Sequence, residues 1–302
     1  MSLDQNLRVD NQTDGEMKYG ISCSTLLGLS PSADDVVRFA QEAERIGFHS
    51  IQLGDHVLGP EEFDASAYPA GVFDPRWPWY DPLVLLASIA GATKSVRLAT
   101  GIAVLGYRPP IQQAQAVATL DFVSGGRFSY GVGIGWMREE FEALGVPFAQ
   151  RGQRADEYLD VMKLLWSGSG QAFRGKFIDF TGGRLNPLPV QKPHPPIIVG
   201  GETPPALRRI AKYGDGFQIN WKTFPEFKRI LDELTTIMAD SGRQLSDLYK
   251  QLAATNIELV QAEKDNLPNY EALGLDEIIF CPACYSVSEG FHTMRKFASE
   301  FF

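Results

Sequence analysis

From Lys18 onward, short apolar runs alternate with longer segments whose apolar positions recur every three or four residues. Period-free apolar runs read as buried strands and the longer periodic segments as amphipathic helices. Strands are expected at Tyr19–Cys23, Ser50–Gly54, Val96–Val104, Phe128–Ile134, Pro196–Val199, Gly216–Asn220, Ala253–Val260 and Glu277–Cys281. Their Val, Ile and Leu content with weak alternation suits parallel strands covered on both faces. Helices are expected at Ala33–Ile46, Asp81–Ala92, Pro109–Val123, Arg154–Trp166, Pro204–Tyr213, Phe224–Ser241, about Lys264–Leu273 and Val287–Phe301. In the first of these, Val36, Val37, Ala40, Ala43 and Ile46 share one side, and Gly47 stands where a left-handed C′ residue ends a helix. Eight strands alternating with eight helices predict an α/β fold, a (β/α)8 TIM barrel, with an open doubly wound sheet as the alternative.

Three stretches break the repeat. Residues 1–17 precede it, are almost wholly polar and form a flexible N-terminal tail, so residues 18–302 make a single domain. Leu58–Tyr80, after strand 2, is rich in Pro, Gly and aromatics: Phe63, Tyr68, Phe73, Trp77, Trp79 and Tyr80. Gly168–Pro195, before strand 5, carries Pro187, Pro189, Pro193 and Pro195. Loops of this length in a compact domain serve as lids or binding loops, and the first leaves a strand at the C-terminal end, where barrels place their active sites.

Composition narrows the function classes. The 302 residues are 44% hydrophobic and carry 28 basic against 37 acidic side chains, a net charge of −9. A basic nucleic-acid surface and docking on anionic lipid are therefore not expected. No apolar run is long enough for a membrane helix, and no secretory h-region opens the chain. Three cysteines cannot form a fully paired disulfide framework. The expectation is a cytoplasmic protein.

Candidate chemistry gathers at strand ends. Asp55-His56 ends strand 2, and a histidine there faces the barrel mouth, where it can exchange a proton near neutral pH; filling the rim or capping a loop is the other reading. Thr100-Gly101-Ile102 ends strand 3, its glycine marking a bulge, a close approach to a ligand or packing room. Gly131-Val-Gly-Ile-Gly135-Trp136 ends strand 4 without the spacing of a dinucleotide fingerprint, so nicotinamide binding in a Rossmann fold is rejected. Its small residues can admit a flat ring, with Trp136 as a wall or an exposed rim. Gly200-Gly201-Glu-Thr203-Pro204 runs into a helix with exposed amides, the physics of a phosphate site or of a plain βα turn. Cys281-Pro-Ala-Cys284 has no second pair for zinc and no helix start for redox work, and Cys23 reads as a barrel-mouth residue. Arg151-Gly-Gln-Arg154 reads as a salt-linked helix start.

Taken together, these segments resemble the luciferase-like monooxygenase superfamily, flavin- or deazaflavin-dependent (β/α)8 oxidoreductases. The resemblance rests on Asp55-His56, Ala99–Ile102, PPIQQAQAVATLD (109–121), Ser124–Arg127, Gly131–Trp136, the run Glu140–Phe148 with Arg151 and Arg154, Pro187–Gly201 and Gly214-Asp-Gly216. The GxGW and EALGVPF…RGxR forms look most like the branch that uses coenzyme F420, a deazaflavin, with FMN as the alternative cofactor.

The resemblance implies a role for each site residue. His56 would handle a proton or contact a substrate oxygen, and Asp55 would contact the cofactor. Thr100, Gly101 and Ile102 would support one ring face, with a non-prolyl cis peptide at Gly101-Ile102. Gly135, Trp136 and Glu139 would border the ring, and Gly200 and Gly201 would hold its phosphate-bearing tail. Trp136 stands where sugar-phosphate dehydrogenases of the branch carry a glutamate acid, which argues against such substrates. Trp77, Trp79, Tyr80 and Cys23 are the expected substrate-pocket residues, favouring a hydrophobic or aromatic substrate. F420 implies hydride transfer; FMN permits oxygen insertion, fed by a separate reductase. No metal is expected, the resemblance suggests a homodimer, and a non-catalytic flavin-binding barrel is the remaining reading.

Overall fold

The computed structural model describes residues 17–61, 76–282 and 284–302. In chain order its first half holds β1 (Lys18–Ser22), α1 (Ser24–Leu27), α2 (Ala33–Ile46), β2 (Ser50–Leu53), α3 (Pro82–Ala92), β3 (Arg97–Thr100), β4 (Ala103–Val104), α4 (Pro110–Ser124), β5 (Phe128–Gly133), α5 (Arg138–Ala143) and α6 (Arg151–Trp166). The second half holds β6 (Phe173–Arg174), β7 (Asp179–Phe180), β8 (Ile197–Gly200), α7 (Pro204–Tyr213), β9 (Gly216–Asn220), α8 (Phe224–Ala239), β10 (Tyr249–Ala254), α9 (Ile257–Ala262), α10 (Leu267–Ala272), β11 (Glu277–Phe280) and α11 (Val287–Phe301).

The eight long strands β1, β2, β3, β5, β8, β9, β10 and β11 pair in parallel in that order, and β11 pairs with β1 to close the ring. Closure identifies the TIM barrel and eliminates the open sheet. Outward residues such as Ile51, Leu98, Tyr130, Val132, Val199, Phe217 and Ile278 are buried beneath the helices. Each such side chain contributes roughly 1.5–3 kcal/mol. The inward layer is polar: Glu277 accepts from Ser50 Oγ at 2.6 Å, Gln251 Nε2 at 2.7 Å and Tyr249 Oη at 3.2 Å.

Local signals start and stop the elements. Ser32 and Asp35 form a capping box at the start of α2, and Gly47 ends it in the left-handed region at φ 109°. Asp81 caps α3 by accepting from the Leu83 and Val84 amides.

Three expected boundaries need correction. The strand expected at Ala253–Val260 is β10 at Tyr249–Ala254, because Asn256 caps a new helix and turns Ile257–Val260 into its first turn. The apolar period is blurred there because Tyr249 and Gln251 face the polar barrel interior. The strand expected at Val96–Val104 is split into β3 and β4, with a cis peptide at Gly101-Ile102 between them. The helix expected from Arg154 already begins at Arg151.

Of the two long loops, residues 62–75 lie outside the described residues, and with them Phe63, Tyr68 and Phe73. The other contains the β6–β7 hairpin, moored to α6 by Glu157, which accepts the Lys176, Phe177 and Ile178 amides at 2.6–2.8 Å. No helix among the described residues is long and apolar enough to cross a membrane.

Candidate active site

Parallel strands bring residues 54–58, 101–107, 134–140 and 200–202 to one end of the barrel, the C-terminal mouth. His56 follows β2 there, and its Nδ1 lies 2.9 Å from Glu140 Oε2 on α5. Glu140 is fully buried. Its Oε1 accepts the Val57 amide at 2.6 Å and the Leu58 amide at 3.4 Å, while Oε2 also accepts the Tyr107 hydroxyl. Burial alone would raise the Glu140 carboxyl, but hydrogen bonds from His56, Tyr107 and the Val57 amide outweigh it and hold the group below the usual carboxylate range. Burial and the adjacent Glu140 push the Tyr107 phenol up, so Tyr107 is a hydroxyl donor.

The His56 ring is bracketed by tryptophans. Trp79 lies 4.4 Å away between ring centroids, and Trp136 meets it edge-on at 5.5 Å. Trp136 is 37% exposed at the rim, whereas the His56 side chain is only 11% exposed. Trp77 packs 6.1 Å from Trp79 and lies against Gly28, where a Cβ would come within 2.7 Å of the indole. Trp77 thus docks the end of the strand-2 loop onto the segment after β1. Tyr80 stands exposed at the loop's end, and Cys23, just after β1, has no exposed surface. Burial, with the Cys281 and Cys284 thiols nearby, pushes the Cys23 thiol up, so it is neutral and a poor nucleophile.

Asp55 turns the other way. Arg108 grips both its oxygens, at 2.7 and 2.9 Å, and the Val104 amide donates to Oδ2 at 2.9 Å. Arg108 also reaches Asp81 at 2.9 Å. Arg108, half-buried, therefore ties the end of β2 to the start of α3, and Asp55 links both to β4 through the Val104 amide. Burial opposes the Arg108 charge, but Asp55 and Asp81 outweigh it and keep it protonated.

The glycines at the strand ends serve the chain's own packing. A Cβ on Gly131 would lie 1.9 Å from the Thr100 carbonyl, and on Gly133 or Gly200 it would meet Ile102 Cδ1 at 2.2 or 2.3 Å. The space reserved for a flat ring at Gly131 and Gly133 is thus filled by the β3–β4 crossing. The Thr100 hydroxyl donates to the Gly131 carbonyl at 2.6 Å and locks that crossing. Gly101 faces Gln52, whose amide is 1% exposed and has neither Nε2 nor Oε1 hydrogen-bonded among the described residues.

On the far arc, Gly201 adopts φ 108° and its amide donates to the Gln218 carbonyl at 3.1 Å. Prolines occupy the first two positions of α7, so that helix start offers few amide donors to an anion. Cationic groups lie instead at the start of α6. Arg151 donates to the Gly135 and Phe148 carbonyls and stacks on Phe148 at 3.9 Å. Arg154 reaches Gln150 and stacks on Phe177 at 4.3 Å. Among the described residues no carboxylate pairs with either, which corrects the reading of a salt-linked helix start. Glu139, beside Glu140 on α5, is half-buried. Among the described residues no group of three His, Cys, Asp or Glu side chains could hold a metal ion.

Sequence reasoning gave no role to Glu140, Tyr107, Arg108 or Gln52. Glu140 sat inside the run that carried the resemblance, and its position in the first turn of a short helix facing a strand-end histidine was the available signal.

The chain is 34% identical over 275 residues to an uncharacterised protein of Mycobacterium tuberculosis, covering 87% of this chain and 91% of that one. It is 28% identical over 208 residues to an FMNH(2)-dependent dimethylsulfone monooxygenase of Pseudomonas putida, covering 68% and 53%. The solved structure of an F420-dependent secondary alcohol dehydrogenase superposes with a TM-score of 0.75 at 17% identity, covering 93% and 98%, and shares the fold. A family model for luciferase-like monooxygenases matches residues 14–257. With a closed parallel barrel and that match over most of its length, the chain belongs to the luciferase-like monooxygenase family.

Proposed function

We propose that this member of the family binds coenzyme F420 and moves a hydride to or from a small hydrophobic or aromatic substrate. The observation that carries the reading is His56, held by a buried carboxylate between two tryptophans at the barrel mouth. The residues present fit a flavin-type group. The buried Gln52 amide offers a donor and an acceptor that have no partner among the described residues, matching a ring edge that carries both. Arg151 and Arg154 offer cations to a phosphate-bearing tail. When bound, the cofactor supplies the hydride. The chain's own part is to bind and orient the reactants, to exclude water with Trp79 and Trp136, and to hold or deliver a proton at His56. The similarity to an FMNH(2)-dependent monooxygenase favours a second reading, oxygen insertion with FMN supplied by a separate reductase.

The test is titration of the purified protein with F420 and with FMN, followed by ring fluorescence. Tight binding of F420 with FMN ignored is expected, and Arg151→Met should weaken it roughly tenfold, the ~1.4 kcal/mol of one charge-assisted hydrogen bond. Preference for FMN moves the reading to the monooxygenase. Binding of neither below about millimolar overturns both.

We also propose a homodimer built on the outer face of α3 and α4. Its exposed residues, among them Val84, Ser88, Ile111, Gln115, Phe122 and Val123, carry no charge, and the only charged side chain in either helix, Asp121, is buried. Two copies of a chain with net charge −9 can approach there without like charges meeting.

A further inference from the structure

The hydrogen bonds around Glu140 fix more than a contact. An ionised carboxylate only accepts, so every polar group around it must donate. Its Oε1 is taken by the Val57 and Leu58 amides, which can do nothing else. Its Oε2 is shared by the Tyr107 hydroxyl and His56 Nδ1. Nδ1 must then carry a hydrogen, and in the neutral ring the other nitrogen, Nε2, is bare. A histidine side chain in water prefers the opposite form.

We propose that Glu140 is the positioning residue of this site, fixing neutral His56 as its Nδ1–H tautomer, so that Nε2 is the ring nitrogen that carries no hydrogen. Glu140 touches neither substrate nor cofactor in this assignment and acts through the imidazole alone. The value of the tautomer for turnover rests on the function proposed above; the tautomer itself is a property of the free protein.

The same donors and acceptors dictate the outcome of an isosteric change. In Glu140→Gln the two backbone amides still demand an oxygen, so the carboxamide carbonyl takes the Oε1 place and its NH2 turns toward His56 and Tyr107. That NH2 donates to Nδ1, which must become bare, and the hydrogen moves to Nε2. Removing one proton-accepting oxygen reverses the tautomer without emptying any volume.

The test is long-range proton–nitrogen correlation spectroscopy on the 15N-labelled full chain, at a pH where imidazoles are neutral. The chain has four histidines, so the spectrum is sparse, and His56 is assigned by its loss in His56→Gln. A protonated Nδ1 and a bare Nε2 are expected in the wild type, exchanged in Glu140→Gln and retained in Tyr107→Phe. An Nε2–H tautomer in the wild type overturns the inference, as does an unchanged tautomer in folded Glu140→Gln. Should Glu140→Gln fail to fold, the wild-type and Tyr107→Phe spectra still decide: a reversal in Tyr107→Phe would give the role to the phenol and overturn it. Because no cofactor is present, failure here is separate from failure of the titration with F420 and FMN.

Discussion

At the scale of single residues, the mouth divides labour between groups that meet ligands and groups that hold them. Under the function proposed above, His56 is of the first kind and Glu140 and Tyr107 are of the second, while Asp55 is committed to Arg108 and the Val104 amide. Removing the imidazole should therefore spare cofactor binding and cost chemistry. His56→Ala is expected to bind F420 within about twofold of the wild type while single-turnover hydride transfer to an aromatic ketone falls roughly 10²–10⁴-fold, the usual contribution of a positioned acid–base group. Equal losses in binding and rate would remove His56 from the chemistry. His56 stood out in the sequence because a histidine at the C-terminal end of a barrel strand lies at the mouth, although filling the rim or capping a loop reads the same way there. Arg151 was misread because spacing along a helix says which residues share a turn and nothing about which carboxylates lie opposite.

At the scale of elements, the junction of α3, β3 and α4 shows how side chains close what backbone geometry leaves open. Helices end with unsatisfied carbonyls. Arg127, beside the turn after α4, donates to the Ser124, Val96 and Ala90 carbonyls at 2.7–2.9 Å and to the Thr93 hydroxyl at 3.0 Å. It binds the C-terminal ends of two helices to the start of β3. Arg127→Met, which keeps the stem and removes the donors, should destabilise the fold by about 2 kcal/mol. Urea unfolding should show a lower midpoint with an unchanged slope. An unchanged midpoint would mean that water replaces the guanidinium at no cost. Elements with caps, such as α2 and α3, were readable to within a residue or two. The seventh strand was not, because its inward residues Tyr249 and Gln251 serve the Glu277 network and interrupt the apolar run by which a buried strand is recognised.

For the whole molecule, the outer surface poses its own question. The α3–α4 face exposes Val84 at 72% and Phe122 at 64%. Light scattering on the purified chain should give twice the mass of 33.4 kDa, and Val84→Glu with Phe122→Glu should halve it by burying like charges across a two-fold axis. A monomeric wild type would refute the dimer. Barrel closure, by contrast, followed from the sequence: alternating buried strands and amphipathic helices admit few packings, and eight repeats in about 285 residues point to a closed ring. The sequence by itself determined the barrel and the place of His56 at the end of its second strand, because periodicity, caps and strand ends are local properties. Only the tertiary structure decided that Glu140 meets His56 across 84 positions, that Arg108 takes up Asp55, and that Arg151 and Arg154 lack carboxylates among the described residues. Those pairings depend on which strand ends the closed ring sets side by side, a distance in space that no local pattern encodes.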